Sequence, residues 1–590
     1  MKPISRRSFL ERSGTGMAAV TAIPVLEAAV QMAGFSPPPA DVALVDGRVI
    51  TVNARNQIVE AVAIRGNRIA AVGSSAEVET FIGPQTRVID LKGRTAMPGF
   101  IENHIHMTNS PQRTWINIRP EMVESIEDIK ELVSERVKQV PEGEWILAWG
   151  YHPERLKEGR HPTRHDLDPV SPNNPVGFKH REGMSWTFNT KGLRRIGVQD
   201  DTPDPPGGPM QRDEQGVPLG PMFDNARAVF IQPNLPKTSE DDFLEGYRWM
   251  CGELNRHGIT SAYEAGIRKP EQVTAWRRLR EEGRQTVRVS LGPYPLYGSD
   301  WNPDSAATKM YEAGLYSGFG DEWIKLGSLT YGVDGGIFGQ TMALFEPYSN
   351  DPAGQYRGSF RVTPEVADAF VLAAHTRGWQ TSTVCHGDHG ISVALDAIEK
   401  AQRAHPKHDL RHRLEHAYIW NPELLKRAAD LGVIWNTQLP IMAAAGRWAT
   451  LEAWGPRARY GFPVRSAMEA GIMISGGSDW TVATLDPMVG LHALVTRRLE
   501  PLEGGDVLNP EQAVSVLDAI RMYTYNGAYT VSEENLKGSL EEGKLADIAV
   551  LSDDILSIPP DQIRDLKAVM TLVDGKIVHQ VEGVLNRARG

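Results

Sequence analysis

The residues best placed to do chemistry begin with the run Pro98-Gly99-Phe100-Ile101-Glu102-Asn103-His104-Ile105-His106. In an extended segment positions i and i+2 share a face, so His104 and His106 can present two imidazoles to one cation. An isolated His-x-His is a weak metal signal, but further polar groups sit where apolar, strand-like runs occur. Lys325 lies within Trp323-Ile324-Lys325-Leu326, where an unpaired ammonium is costly to bury; taken alone it reads as an edge lysine or a buried ion pair. His416 closes Arg413-Leu414-Glu415-His416 and alone reads as a core histidine bonded to backbone. Asp479 follows Ser475-Gly476-Gly477-Ser478, whose glycines permit a tight turn, and alone reads as a helix N-cap. Four such groups at successive strand ends are harder to dismiss together, because a barrel assembles its site from the C-terminal ends of its strands, and any metal there must be held by His and carboxylates. Thiolate chemistry is disfavoured. The only two cysteines, Cys251 and Cys385, are far apart, which removes a disulfide framework, a CxxC pair and a zinc ribbon. Cys385 and His386 are strand neighbours and point to opposite faces, so they do not form a nucleophile–base pair.

These residues need elements to hold them. Between about Pro98 and Asn535, short apolar runs alternate with amphipathic stretches such as Pro364 to Arg377, the pattern of parallel βαβ units. Expected strands include Ile259 to Tyr263, Val287 to Leu291, Trp323 to Leu326, Thr381 to Val384, Val433 to Asn436 and Ile472 to Ser475. The region exceeds the ~250 residues of a plain (β/α)8 barrel. The expected fold is therefore α/β: a (β/α)8 TIM barrel over 98–535 with an insertion at about 107–255. The ends carry two similar segments, Val45-Asp46-Gly47-Arg48-Val49-Ile50 and Val573-Asp574-Gly575-Lys576-Ile577-Val578, each read as an Asp-Gly hairpin. Neither end has enough strands to bury a face alone. Residues 36–97 and 536–590 are thus expected to build one small β-sandwich domain together.

Taken jointly, the motifs resemble the amidohydrolase superfamily, in its amidohydrolase-3 (YtcJ-like) branch, which includes N-substituted formamide deformylases. The resemblance is carried by Val45 to Asn53, Gly66-Asn67-Arg68-Ile69, Pro98 to His106, Lys325 through Asp334-Gly335 to Glu346-Pro347-Tyr348, and Gly387-Asp388. It continues through Arg413 to His416, Gly477-Ser478-Asp479, Asp486-Pro487, Gly538-Ser539-Leu540 and Gly543 to Asp547. It implies a metal-loaded barrel with a flanking β-sandwich, hydrolysing mostly non-peptide C–N bonds. It implies His104, His106, His416 and Asp479 as ligands, and Lys325 as a ligand that can be N-carboxylated. A divalent metal is implied, zinc being the expected one, with one ion favoured over two. Such an ion lowers the pKa of a water and polarises a carbonyl, while Asp479 would act as general base and return the proton to the leaving nitrogen. The chain departs from the family at the fifth strand, where Val384 stands in place of the usual histidine. His386 lies two positions further along, on the same face, and is expected to reach the cation or the substrate. Gly183-Met184-Ser185-Trp186 replaces a more polar family segment. Met184 and Trp186, with His180, His389 and Trp480, are the expected substrate contacts.

Composition bounds the remaining readings. With 590 residues, 41% hydrophobic and 23% charged, the chain can bury a sizeable core. The balance of 63 Lys+Arg against 74 Asp+Glu, net −11, gives no global basic field for nucleic acid. No Walker loop, dinucleotide GxGxxG, HExxH or GxSxG motif occurs. The start, Ser5-Arg6-Arg7-Ser8-Phe9-Leu10 ahead of an apolar Gly14 to Leu26, reads as a twin-arginine signal over 1–35. A periplasmic or extracellular protein is expected, with no stable membrane insertion. Its expected partners are the twin-arginine export machinery and a small-molecule substrate, with a homo-oligomer left open. The rival readings are an isomerase, decarboxylase or esterase on the same scaffold, or a binding protein that has lost turnover.

Overall fold

The computed structural model describes residues 38–584 apart from 121, 182, 184, 224, 296–302 and 407–408. The signal segment over 1–35 and Met184 lie outside the described residues. Among the described residues no helix is long and apolar enough to cross a membrane.

Both chain ends share one six-stranded sheet. Its order is Lys576–Gln580, Ala568–Val573, Ile548–Leu551, Thr95–Pro98, Arg48–Ile50 and Ile58–Val59. A second sheet, in the order Arg68–Gly73, Ala61–Arg65, Val42–Val45 and Arg87–Asp90, packs on it. The shared apolar cluster joins Leu44, Val62 and Ile64 to Val550, Met570 and Leu572. The two Asp-Gly segments behave differently. Asp574 and Gly575 are both left-handed (φ 58° and 73°), and Val573 pairs with Lys576 in a true hairpin. At the first, only Asp46 is left-handed (φ 55°), and the expected hairpin does not form. Val42–Val45 pairs with strands of one sheet and Arg48–Ile50 with strands of the other. The cause is local: a Cβ on Gly47 would lie 2.3 Å from Leu91 Cδ1, so this glycine lets the chain pass close to Leu91 while it crosses between sheets.

The residues between the ends form two sheets of parallel strands. The first runs Ile324–Leu326, Arg288–Pro293, Ile259–Ile267 and Phe100–Ile105. The second runs Leu329–Gly332, Thr381–Cys385, Arg413–His416, Ile434–Thr437 and Met473–Gly476. Most of their residues are buried, as strands covered on both faces must be. Amphipathic helices such as Pro270–Glu281, Pro364–Thr376 and Asp388–Ala404 pack outside. The sheets meet along both edges. On one side Arg288–Pro293 lies beside Leu329–Gly332, and on the other Asp479 N–H donates to His104 O (2.8 Å). Between Phe100–Ile105 and Ile259–Ile267 the chain makes a separate six-stranded sheet from Ile116 to Phe223 with apolar clusters of its own.

Candidate metal centre

His104 lies in the strand Phe100–Ile105 and His106 directly follows it. Their rings stand 5.3 Å apart, centroid to centroid. Asp479 reaches them from the turn after Met473–Gly476. That turn presses on the His104 strand so closely that a Cβ on Gly477 would lie 2.8 Å from His104 N and 2.7 Å from Glu102 Oε1. Asp479 itself is left-handed (φ 54°) and its N–H is bonded to His104 O. The result is a carboxylate oxygen, Asp479 Oδ1, 3.1 Å from His106 Nε2 and 3.7 Å from His104 Nε2. It is buried without a well-formed hydrogen bond. One donor atom from each of the three residues lies within 4.8 Å of the others.

Two more imidazoles complete the group. The His416 ring is 4.7 Å from that of His104 and stacks on that of His386 at 4.4 Å and 11°. Three of the four histidines are oriented through the far nitrogen, the arrangement that fixes a metal-ligating ring. His104 Nδ1 meets Glu415 Oε2 at 2.8 Å, His416 Nδ1 meets Tyr418 Oη at 3.1 Å, and His386 Nδ1 meets Asp334 Oδ1 at 3.1 Å. Glu415 is gripped by Arg413 (2.8 Å), Ser382 Oγ (2.7 Å) and Asn436 Nδ2 (2.6 Å). Burial alone would raise the Glu415 carboxyl, but Arg413 and His104 hold it well below the usual carboxylate range. Asp334 accepts the backbone N–H groups of His386, Gly387 and Ala343 at 2.8–2.9 Å, so it fixes the loop as well as the ring. Burial opposes ionisation of Asp479, yet His106, His104 and His416 hold its carboxyl down to about 2. A cluster of imidazole nitrogens around an ionised, buried oxygen is a donor set that fits a divalent cation.

The structure thus brings together His104, His106, His386, His416 and Asp479. His386 lines the cavity together with Val384, the residue that stands where the family usually has a histidine. Lys325 is a correction to the expected ligand set. It does not line the cavity of His104, His106 and Asp479 but a separate pocket with Gln380 and Val531. Its ammonium bonds Val531 O (2.8 Å) and Glu533 (2.9 Å) instead.

The centre opens into a cavity of about 320 Å3, at the low end of the range for small-molecule sites. Of the expected substrate contacts, Trp186 lines it. His180 faces a neighbouring outer cavity of about 1210 Å3, beside His161 and Glu154. Two more are corrections. His389 is stacked on Phe345 (4.5 Å) with Phe360 against its edge, and Trp480 packs on Trp149 and Trp249 at 6.1 Å. Both are held by aromatic neighbours and neither lines the cavity; the Trp480 carbonyl accepts His106 N–H (2.9 Å). The roles of Asp334, Glu415 and Tyr418 are not legible in the sequence. Glu415 sits beside His416 within a quoted motif, but only the three-dimensional pairing gives it a function.

The amidohydrolase family model matches residues 87–579, and the chain belongs to this family of hydrolases acting on carbon–nitrogen bonds. It is 28% identical over 557 residues to N-substituted formamide deformylase of Arthrobacter pascens, covering 92% of this chain and 99% of that one. It is 26% identical over 540 residues to the Bacillus subtilis protein YtcJ, covering 90% and 98%. Among solved structures, an uncharacterized metal-dependent hydrolase from Pyrococcus horikoshii shares the fold. Its TM-score is 0.70 at 22% identity, over 88% of this chain and 99% of that one.

Proposed function

We propose that this protein is a metal-dependent amidohydrolase that cleaves a non-peptide, amide-like C–N bond of a small organic substrate. Its site lies at the mouth of a closed (β/α)8 barrel spanning 98–535, flanked by a sandwich of 36–97 and 536–590. The meeting of the two parallel sheets along both edges supports the closed barrel. Zinc suits the mixed nitrogen and oxygen donors. When bound, the cation lowers the pKa of a water and polarises the scissile carbonyl.

The chain's own residues do the rest. Glu415, Asp334 and Tyr418 fix the ring orientations of His104, His386 and His416. Asp479, ionised at neutral pH, takes a proton from the attacking water and delivers it to the departing nitrogen. The twin-arginine pattern at Arg6-Arg7 supports export by that route to the periplasm or beyond.

The observation that carries this reading is the buried Asp479 Oδ1 set 3.1 Å from His106 Nε2 and 3.7 Å from His104 Nε2. Metal-replete protein is expected to contain a stoichiometric divalent metal and to hydrolyse simple N-formyl or N-acetyl amides. Asp479→Asn should lower kcat by ~10²–10⁴ with an unchanged circular dichroism spectrum. Turnover confined to esters, or an Asp479→Asn variant as active as the parent, would overturn it.

A further inference from the structure

The whole chain carries −11, yet the cavity at the centre is walled by cations: Lys179, Arg181, Arg227, Arg268 and Arg361. Three of them have no carboxylate partner among the described residues. Lys179 Nζ is bonded only to neutral amide oxygens, Gln112 Oε1 at 3.3 Å and Asn109 Oδ1 at 3.5 Å. Arg227 donates one Nη1 bond to Gly183 O (3.0 Å), and its Nε is buried with no acceptor. Arg361 stands exposed where the inner and outer cavities adjoin. The packing preserves this arrangement. Gly183 is left-handed (φ 75°), and a Cβ there would lie 2.9 Å from Lys179 Cε. Cations left unmatched in a confined, low-dielectric cavity repel one another, a cost that an incoming anion removes. The surrounding wall also has an apolar part, in Trp186, Ile231, Phe338 and Ile441.

We propose that the substrate is an amide bearing a carboxylate, and that Lys179 and Arg227 hold that carboxylate while Arg361 draws it in from the outer cavity. This rests on the amidohydrolase reading for the identity of the scissile bond, but not for the presence of the anion site. Arg227 and Arg361 border both cavities, so an anion passing inward meets a continuous line of positive charge. Trp186 and Phe338 then face the apolar part of the acid.

The test uses the metal-loaded protein and two matched pairs: N-acetylglycine against N-acetylglycinamide, and 4-acetamidobenzoate against 4-acetamidobenzamide. The pairs differ in one charge at a short or a long separation from the amide. Calorimetric titration should show at least one carboxylate binding tenfold or more tightly than its carboxamide. Arg227→Gln and Lys179→Gln should each cut that ratio several-fold, with Arg227→Lys keeping most of it. Equal binding within both pairs, a preference for the carboxamides, or a carboxylate preference that survives in both Gln variants overturns the proposal. The unaltered protein decides the first two outcomes even if a variant folds poorly. Hydrolysis of the same compounds separates the two readings. Tight carboxylate binding with no cleavage sinks the amidohydrolase assignment and leaves the anion site standing, whereas cleavage of both partners with equal kcat/KM does the reverse.

Discussion

Two clusters of buried charge lie along the same parallel strands, and they are built in opposite ways. In one, Glu533 bridges Lys325 (2.9 Å) and Lys537 (2.7 Å), while Lys537 also bonds Ser261 Oγ (2.9 Å) and Lys325 bonds Val531 O (2.8 Å). Its ammonium groups are closed on partners from the segment after the last parallel strand. In the other, His104, His386 and His416 are held from behind by Glu415, Asp334 and Tyr418, while their rings and the Asp479 carboxylate converge on the cavity. Both clusters break the rule against burying charge. Only the second keeps coordination capacity in reserve, and that marks where chemistry happens. A lysine in a strand-like run does not by itself distinguish the two cases.

The largest expected contrast comes from substituting each cluster in turn. Glu533→Ala leaves two ammonium groups buried without their carboxylate and should cost ~3–5 kcal/mol in urea unfolding. The folded fraction should retain its metal by elemental analysis. His106→Ala should lose metal and turnover. Its stability after chelator treatment should stay within ~1 kcal/mol of the similarly treated parent, since His106 is 24% exposed at the cavity. Loss of metal on substituting Lys325 or Glu533 would erase the distinction.

A smaller effect sharpens the comparison within the metal cluster. Asp334→Asn should weaken metal affinity ~10–100-fold by chelator competition, the usual cost of removing an orienting carboxylate. If Asp334 acts through His386, the double variant with His386→Ala will be far less than additive. Additive losses would mean that Asp334 matters only for the loop that it caps.

The parts of this organisation legible in the sequence are those encoded within a few residues. His104-Ile105-His106 and Gly476-Gly477-Ser478-Asp479 declare themselves because strand alternation and turn geometry fix their local presentation. The partnership of Asp334 with His386 does not, since it depends on the register that sets Gly332 beside Val384. Lys325 misled for a related reason: residue type shows that a strand carries a charge but not which end of the strand it occupies. The Asp-Gly pairs teach the same lesson in the small sheets. The dipeptide encodes a turn, but Leu91, distant in sequence, decides at Gly47 whether that turn joins two strands of one sheet. The cationic wall was least visible. Lys179, Arg227 and Arg361 come from separate segments of an acidic chain, and only the fold makes them neighbours.

That wall gives the mildest prediction, one of pH. Burial, followed by Arg227 and then Arg268 beside it, pushes the Lys179 ammonium down from 10.5 to about 7. Below pH 7 Lys179 is charged and the carboxylate preference is complete. As pH rises through 7 the ammonium is lost and the preference should fall ~3–10-fold, the remainder being held by Arg227 and Arg361. Calorimetry on the matched pairs at pH 6 and pH 9 reads this directly, and Lys179→Gln should flatten it. Stability moves the other way. Between about 7 and 10.5 the unfolded lysine still binds a proton that the folded one has released, so this residue's contribution to folding rises with pH over that window. A carboxylate preference that strengthened from pH 6 to pH 9 would show that Lys179 is not part of the anion's cradle.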